Sequence, residues 1–170
     1  MLYAIQKIES TIDLPYKLID IDTGREHFIF QFRAFDDNQS DYSIKMGGVT
    51  GKFSVIYQGK GINCNFGCDI TVGNVYEFYM SLNDSYNMLG QNSAAILKNY
   101  GSLNQTNLTI NFDNKGHCFV DGYFKNEDNF YESGIIFSFR VDQTYLSESL
   151  NSMKTFFEEL RRIQGHNTFY

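Results

Sequence analysis

The chain contains no tryptophan, only one proline and an odd number of cysteines, three, in 170 residues. Its first residues, MLYAIQKIESTIDL, carry charge where a secretory signal would have an apolar core. These features argue against a disulfide framework and predict a cytoplasmic protein. No apolar run approaches the roughly 20 residues of a membrane-spanning helix, so we expect no membrane partner.

Positive charge is also scarce. The sequence has 14 Lys and Arg against 20 Asp and Glu, a net charge of −6, and no segment concentrates the cations. A protein that binds nucleic acid needs a basic face for the phosphates, so we expect no nucleic-acid partner. The negative charge favours solubility, and it would also steer the protein toward a positively charged partner. Charge alone does not choose between these two roles.

Motifs of catalysis and of nucleotide binding are absent as well. The sequence contains no G-x-S-x-G, G-x-x-x-x-G-K-[ST], G-x-G-x-x-G or H-E-x-x-H pattern. Asp20 and Asp22 lie two residues apart on a predicted strand and therefore project to the same face. Such a pair can serve hydrolysis or hold a metal ion, but it is also common on a solvated strand face. We therefore predict no catalytic residue and no cofactor.

The cysteines raise the question of a metal site. Cys64, Cys68 and Cys118, with His117, contain the donor atoms of a Cys3His set. The spacing of Cys64 and Cys68 is looser than the paired ligands of zinc sites. Reduced thiols that pack as small apolar side chains are the favoured interpretation, and the sequence predicts no metal.

The hydrophobic pattern predicts strands interrupted by two helices. Helical spacing extends from Val75 to Leu89, with Asn74 as N-cap and Gly90 just beyond the end, and again from Leu146 to Leu160. The segment GKGINCNFGC, residues 59–68, is predicted to be a loop because it is rich in glycine. Strands are predicted at 3–8, 16–22, 26–35, 42–46, 50–59, 94–101, 107–113, 117–125 and 130–142.

This order predicts the fold class. Strands, helix, strands and helix indicate one α+β domain of residues 1–170, with a mostly antiparallel sheet made from two meander halves. Each half is followed by a helix, and the C-terminal helix packs on the sheet. Gly122 and Gly134 lie inside predicted strands, where they indicate bulges or the close packing of a helix.

Two acidic segments flanked by aromatic residues are candidate binding loops. They are DDNQSD, residues 36–41, and NEDN, residues 126–129. Such segments can simply connect buried strands, but acidic groups beside aromatic anchors also suit a basic protein partner. The predicted partner-binding residues are Asp36, Asp37, Asp41, Tyr42, Glu127, Asp128 and Tyr131.

The last third of the chain carries a recognisable pattern. GHCFVDGYF followed by FSFRVDQTYLSESLNSMKTFFEEL resembles the WapI-like immunity protein family over residues 107–163. That family often has proline directly after the leucine of the D-Q-[ST]-Y-L junction, where this chain has Ser147. The matching positions are Gly116, His117, Gly122, Asp142, Gln143, Thr144, Tyr145 and Leu146.

The resemblance implies a bacterial immunity protein without enzymatic activity. It would bind the toxic C-terminal domain of a polymorphic toxin, such as a nuclease, and occlude it. The junction would be a corner of the fold, in which Asp142 or Thr144 caps the helix and Tyr145 and Leu146 fix it against the sheet. The alternatives are a small-ligand or structural domain, and a hydrolase that uses Asp20, Asp22 or His117.

Overall fold

The computed structural model describes residues 12–35, 50–88, 91–100, 104–127 and 132–164. It confirms the α+β class: two antiparallel four-stranded sheets, each a meander in chain order and each followed by a helix. The predicted strands at 3–8 and 42–46 lie outside the described residues. The elements are β1 Tyr16–Asp22, β2 Glu26–Phe35, β3 Thr50–Gly59, β4 Ile62–Thr71, α1 Val72–Asn87, β5 Ser93–Tyr100, β6 Asn104–Phe112, β7 His117–Glu127, β8 Glu132–Asp142, a 3-10 helix Gln143–Leu146 and α2 Ser147–Gln164.

The two helices are exchanged between the sheets. Helix α1 leaves β4 of the first sheet and packs mainly on β5 of the second, whereas α2 leaves the second sheet and packs on β1 of the first. The Ser81 hydroxyl of α1 donates to the carbonyl oxygen of Ala94 at 3.4 Å, and the Ser152 hydroxyl of α2 donates to that of Lys17. Each acceptor is the second residue of a strand whose outer backbone groups have no strand partner among the described residues. The helices therefore cover the edges β1 and β5.

Aromatic rings join the two sheets. Tyr57 on β3 stacks on Phe137 of β8 with a centroid distance of 4.4 Å and an interplanar angle of 4°. Phe28 on β2 contacts the same ring at 5.4 Å. Phe156 of α2 contacts Phe32 at 5.1 Å, which brings the C-terminal helix into the same core. Among the helices in the described residues, none is both long and apolar enough to cross a membrane.

Gly122 makes room for this stack. It lies opposite Phe137 in the regular β7–β8 register, and a Cβ on Gly122 would lie less than 3.0 Å from three ring carbons of Phe137. The prediction of a bulge or of a closely packed helix is wrong for Gly122, because a ring from the neighbouring strand covers the glycine in a regular register. The Cβ-free surface lets the ring of Phe137 lie flat under Tyr57.

The predicted loop over residues 59–68 is wrong. Residues 62–71 form β4, which pairs with β3 without interruption, and Lys60 and Gly61 make the turn with φ values of 51° and 81°. Two positive φ values match the two-residue turns that suit the twist of a hairpin. Alternate positions of β4 face the core, but asparagine, glycine and small cysteines weaken the pattern: the inward residues are Cys64, Phe66, Cys68 and Ile70.

Helix α1 begins earlier than predicted. Thr71 is the N-cap, and its hydroxyl oxygen accepts the N–H of Asn74, the residue predicted to be the cap. The helix therefore starts at Val72, directly after the last residue of β4, and the Val72 side chain is fully buried. Threonine and asparagine are both good caps, so residue type alone did not identify Thr71 as the cap. Leu89 and Gly90 lie outside the described residues. In the second half, Asn126 and Glu127 belong to β7 and not to the predicted loop.

We expect Gly122→Ala to destabilise the protein by about 2 kcal/mol, because the added methyl group overpacks the ring of Phe137. Gly67→Ala is the matched control: Gly67 is an exposed strand glycine with no atom near its Cβ position, and its change should stay within about 0.5 kcal/mol. Urea unfolding measures both. Equal free energies for the two variants would contradict the described packing.

We expect Leu150→Asp to destabilise the fold by at least about 3 kcal/mol, because Leu150 is buried on the core side of α2. Asn151→Asp places the same carboxylate one position along, on the exposed side of the helix. Thermal unfolding followed by circular dichroism compares the variants. A soluble Leu150→Asp variant that unfolds as cooperatively as Asn151→Asp would show that the helix register is wrong.

Candidate functional site

An open cleft lies where α2 begins, against the outer side of β1 and the start of β2. Its volume is about 630 Å³. We call it the junction cleft. One wall comes from the β1–β2 hairpin and the other from the 3-10 helix and the first turns of α2. Its lining residues are Lys17, Leu18, Asp20, Asp22, His27, Thr144, Tyr145, Ser147, Glu148, Ser149 and Ser152.

Asp20 is the centre of an ion-pair network on the hairpin wall. Lys17 Nζ donates to its Oδ2 at 2.6 Å, and His27 Nε2 lies 2.7 Å from its Oδ1. Burial raises the pKa of Asp20, but the hydrogen bonds from Lys17 and His27 outweigh it and hold the pKa below its ordinary value. Both oxygens of Asp20 are therefore occupied, and the charge of Lys17 is neutralised within the cleft.

Asp22 lines the same cleft in a different role. Its Oδ1 accepts the N–H of Gly24 at 2.8 Å and closes the turn between β1 and β2, where Gly24 has a φ of 76°. Asp20 and Asp22 thus share a face as predicted, and the cleft brings both beside His27. Among the described residues, no group of three or more His, Cys, Asp or Glu side chains has the geometry of a metal site.

The helix wall starts with a capped 3-10 turn. Asp142 Oδ1 accepts the N–H of Thr144 at 3.0 Å. Of the two predicted cap residues, Asp142 and Thr144, it is therefore Asp142 that caps the 3-10 turn. Hydrogen bonds from the Thr144 backbone and side chain lower the pKa of Asp142. Leu146 is fully buried, but Tyr145 is 42% exposed and lines the cleft. The prediction that Tyr145 fixes the helix against the sheet is wrong, because neighbouring residues of a 3-10 turn point in different directions.

The three serines of the helix wall are engaged with the backbone. Ser149 Oγ accepts the N–H of Asp20 at 3.2 Å, and Ser147 Oγ donates to the carbonyl oxygen of Thr144 at 3.0 Å. Ser152 Oγ donates to the carbonyl oxygen of Lys17. In the described part of the chain, no serine hydroxyl is hydrogen-bonded to His27. The cleft thus contains a histidine–carboxylate pair but no nucleophile activated by it.

His117 lies in a separate corner. Asp113 Oδ1 accepts the N–H groups of His117 and Lys115, and Asp113 Oδ2 lies 2.8 Å from His117 Nδ1. These bonds, the one from the His117 backbone first, lower the pKa of Asp113 from 3.8 to about 2. His117 is not among the residues of the junction cleft, so the Asp20, Asp22 and His117 of the hydrolase alternative do not form one site.

Two parts of the family-like pattern meet at this corner. His117 pairs with Asp142 in the β7–β8 register, and the N–H of Gln143 donates to the carbonyl oxygen of Gly116 at 3.1 Å. Gly116 has a φ of 79°, and the side chain of Gln143 lies 3.4 Å from the position of its missing Cβ. The G-H and D-Q segments therefore hold one another in place.

The cysteines do not assemble with His117. Cys64 and Cys68 lie on β4, whereas Cys118 lies on β7 of the other sheet. Cys118 is buried, and this burial raises the pKa of its thiol to about 12. His117 and Cys118 are consecutive strand residues and point to opposite faces of the sheet. These thiols are packed in or against the core.

The described strand residues next to the predicted acidic binding loops lie away from the junction cleft. Along β2, Phe35, which precedes one loop, is eight residues and about 26 Å beyond His27. Along β8, Glu132, which follows the other, is ten residues and about 33 Å before Asp142. Glu127 ends β7, but its side chain is not described. The other predicted residues, Asp36, Asp37, Asp41, Tyr42, Asp128 and Tyr131, lie outside the described residues.

Sequence reasoning did not find the junction cleft. Its walls come from residues 17–27 and 144–152, and no sequence pattern relates two segments so far apart. One signal was available: a turn between Asp22 and Glu26 places His27 on the same side of the hairpin as Asp20. No protein-family model matches the chain, and a search of curated proteins finds no significant match.

We expect the stability lost in Asp113→Asn to depend on pH. Because the pKa of Asp113 in the folded protein is about 2, below its ordinary 3.8, the carboxylate stabilises the fold above about pH 4 and loses this effect as the pH falls toward 2. The difference in unfolding free energy between wild type and variant should therefore shrink from pH 5 to pH 2.5 in urea titrations. A constant difference over that interval would contradict the hydrogen-bonded carboxylate.

Proposed function

We propose that the protein is a non-enzymatic immunity protein that works in the cytoplasm, where it binds and occludes the toxic domain of a cognate polymorphic toxin. The observation that carries the proposal is the state of the polar groups in the junction cleft. Asp20 is bound on both oxygens, and the serines are bound to the backbone. A cleft in which the central carboxylate and the serine hydroxyls are already occupied suits recognition better than chemistry.

Electrostatics supports a basic partner. The junction cleft contains three carboxylates, Asp20, Asp22 and Glu148, against one lysine, and the whole chain has a net charge of −6. Complementary charge accelerates the encounter of two proteins and helps to reject wrong partners. A toxin domain with a basic active-site cleft, such as a nuclease, fits this charge. The resemblance of residues 107–163 to the WapI-like immunity proteins points to the same function.

A second candidate is the binding of a small ligand. A volume of about 630 Å³ is within the range of ligand pockets, which is roughly 300–1,000 Å³. The lining is more polar than is usual for such pockets, since Leu18 is the one aliphatic residue of the cleft wall in the described residues. This composition favours a protein surface over an apolar cofactor.

The decisive experiment is a binding titration with the C-terminal domain of any large secreted protein that is encoded beside this one. We expect one-to-one binding at nanomolar affinity, together with loss of the toxin's activity. A toxin domain that neither binds nor loses activity at micromolar concentrations of this protein would refute the proposal. The protein alone should also show no hydrolytic activity that depends on Asp20, which Asp20→Asn tests.

We also expect the predicted loops to guide the encounter. Asp128→Lys should lower the association rate with the toxin about tenfold at low salt and change the dissociation rate little, because a charge at the rim acts mainly through steering. Glu77→Lys on the exposed side of α1 makes the same change in net charge at another place. Stopped-flow measurements that give equal association rates for the two variants would exclude the loop from the interface.

A further inference from the structure

We infer that the junction cleft is the receptor for one arginine side chain of a basic protein partner. The identity of that partner rests on the proposed function, whereas the chemistry of the cleft rests on its geometry. The cleft is open: the side chains of Lys17 and Asp20 are 51% and 39% exposed. Leu18 and Ser149 also line the cleft, and both are buried, so they form its inner surface.

The lysine already in the cleft does not oppose an entering arginine. Lys17 Nζ lies 2.6 Å from Asp20 Oδ2, so its charge is compensated locally, and His27 Nε2 lies 2.7 Å from the other oxygen of Asp20. Asp22 uses one oxygen for the N–H of Gly24. Within the described residues, its other oxygen and the carboxylate of Glu148 have no hydrogen-bonding or ion-pair partner. The uncompensated charge of the cleft is therefore negative and is divided between the two walls.

The arrangement suits a guanidinium group better than an ammonium group. The planar guanidinium has five N–H donors, can bind carboxylates on two sides and stacks on aromatic rings. Tyr145 and Glu148 both lie on the helix wall, three residues apart in the sequence. The side chain of Tyr145 is exposed, and its hydroxyl has no hydrogen-bonding partner among the described residues. A carboxylate on each wall and an exposed ring offer both ion pairing and a cation–π contact.

Each carboxylate also has a structural role that a test must preserve. Asp22 closes the hairpin turn, and Glu148 lies in the first turn of α2, where negative charge suits the helix dipole. Asp22→Asn keeps an acceptor for the N–H of Gly24, and Glu148→Gln keeps the length of the side chain. The double variant therefore removes the charge and retains the shape of the cleft.

The test is an NMR titration of the 15N-labelled protein with the peptide acetyl-Gly-Arg-Gly-amide. The matched probe contains citrulline, which has the shape of arginine without its charge. We expect saturable shifts of the amide signals of Gly24, Tyr145 and Glu148 with the arginine peptide, and affinity about tenfold lower with citrulline. The double variant should lose about tenfold, whereas Glu77→Gln on α1 should bind like wild type.

Three outcomes would overturn the inference: equal affinity for arginine and citrulline, equal affinity for a lysine peptide, or shifts outside the cleft. The toxin titration separates this inference from the proposed function. If the double variant binds and inhibits the toxin as well as wild type does, the protein is an immunity protein and the assignment of the cleft is wrong. If no toxin binds but the arginine peptide saturates the cleft, the proposed function fails and the chemistry of the cleft stands.

Discussion

The contact between helix α2 and the edge of β1 is the interaction on which the rest of the structure depends. The hydroxyl groups of Ser149 and Ser152 bind the backbone of β1 at Asp20 and Lys17. This contact protects an edge strand from pairing with another chain, since the outer backbone groups of an edge are otherwise open. It also places the start of α2 beside the β1–β2 hairpin. The junction cleft exists only because these two elements meet, so the same contact creates stability and a surface for recognition.

The aromatic core makes the position of that contact well defined. The stack of Tyr57 on Phe137 and the contact of Phe28 with the same ring fix the second sheet against the first. Gly122 permits the stack, because no larger residue leaves space for the ring. Since α2 follows β8 directly through the capped 3-10 turn, the position of Phe137 on β8 also sets where α2 begins. The residues that shape the cleft are therefore held by packing some distance away from it.

The sequence predicted those features that depend on local periodicity, namely the two meanders and the two helices, and it named Asp142 as one of two candidate caps. It failed at β4, where two of the inward positions hold the small residues Cys64 and Cys68 and the outward positions Asn63, Asn65 and Gly67 are polar or glycine. It also failed at Tyr145, because a 3-10 turn does not follow the periodicity of an α-helix. The cleft was missed for a different reason. It depends on the packing of β1 beside α2, and that contact becomes visible only once the chain is folded.

The exchange of helices also has a consequence for synthesis of the chain. The hydroxyl of Tyr16 on β1 donates to the carbonyl oxygen of Ser152 across 136 positions in the sequence. At roughly 5 to 20 residues per second, a ribosome needs on the order of ten seconds to add the segment that will cover β1. During this interval β1 lacks the contacts that α2 makes with it. Lys17 and Asp20 place charge on this strand, and charge on an edge strand discourages other nascent chains from pairing with it before the helix arrives.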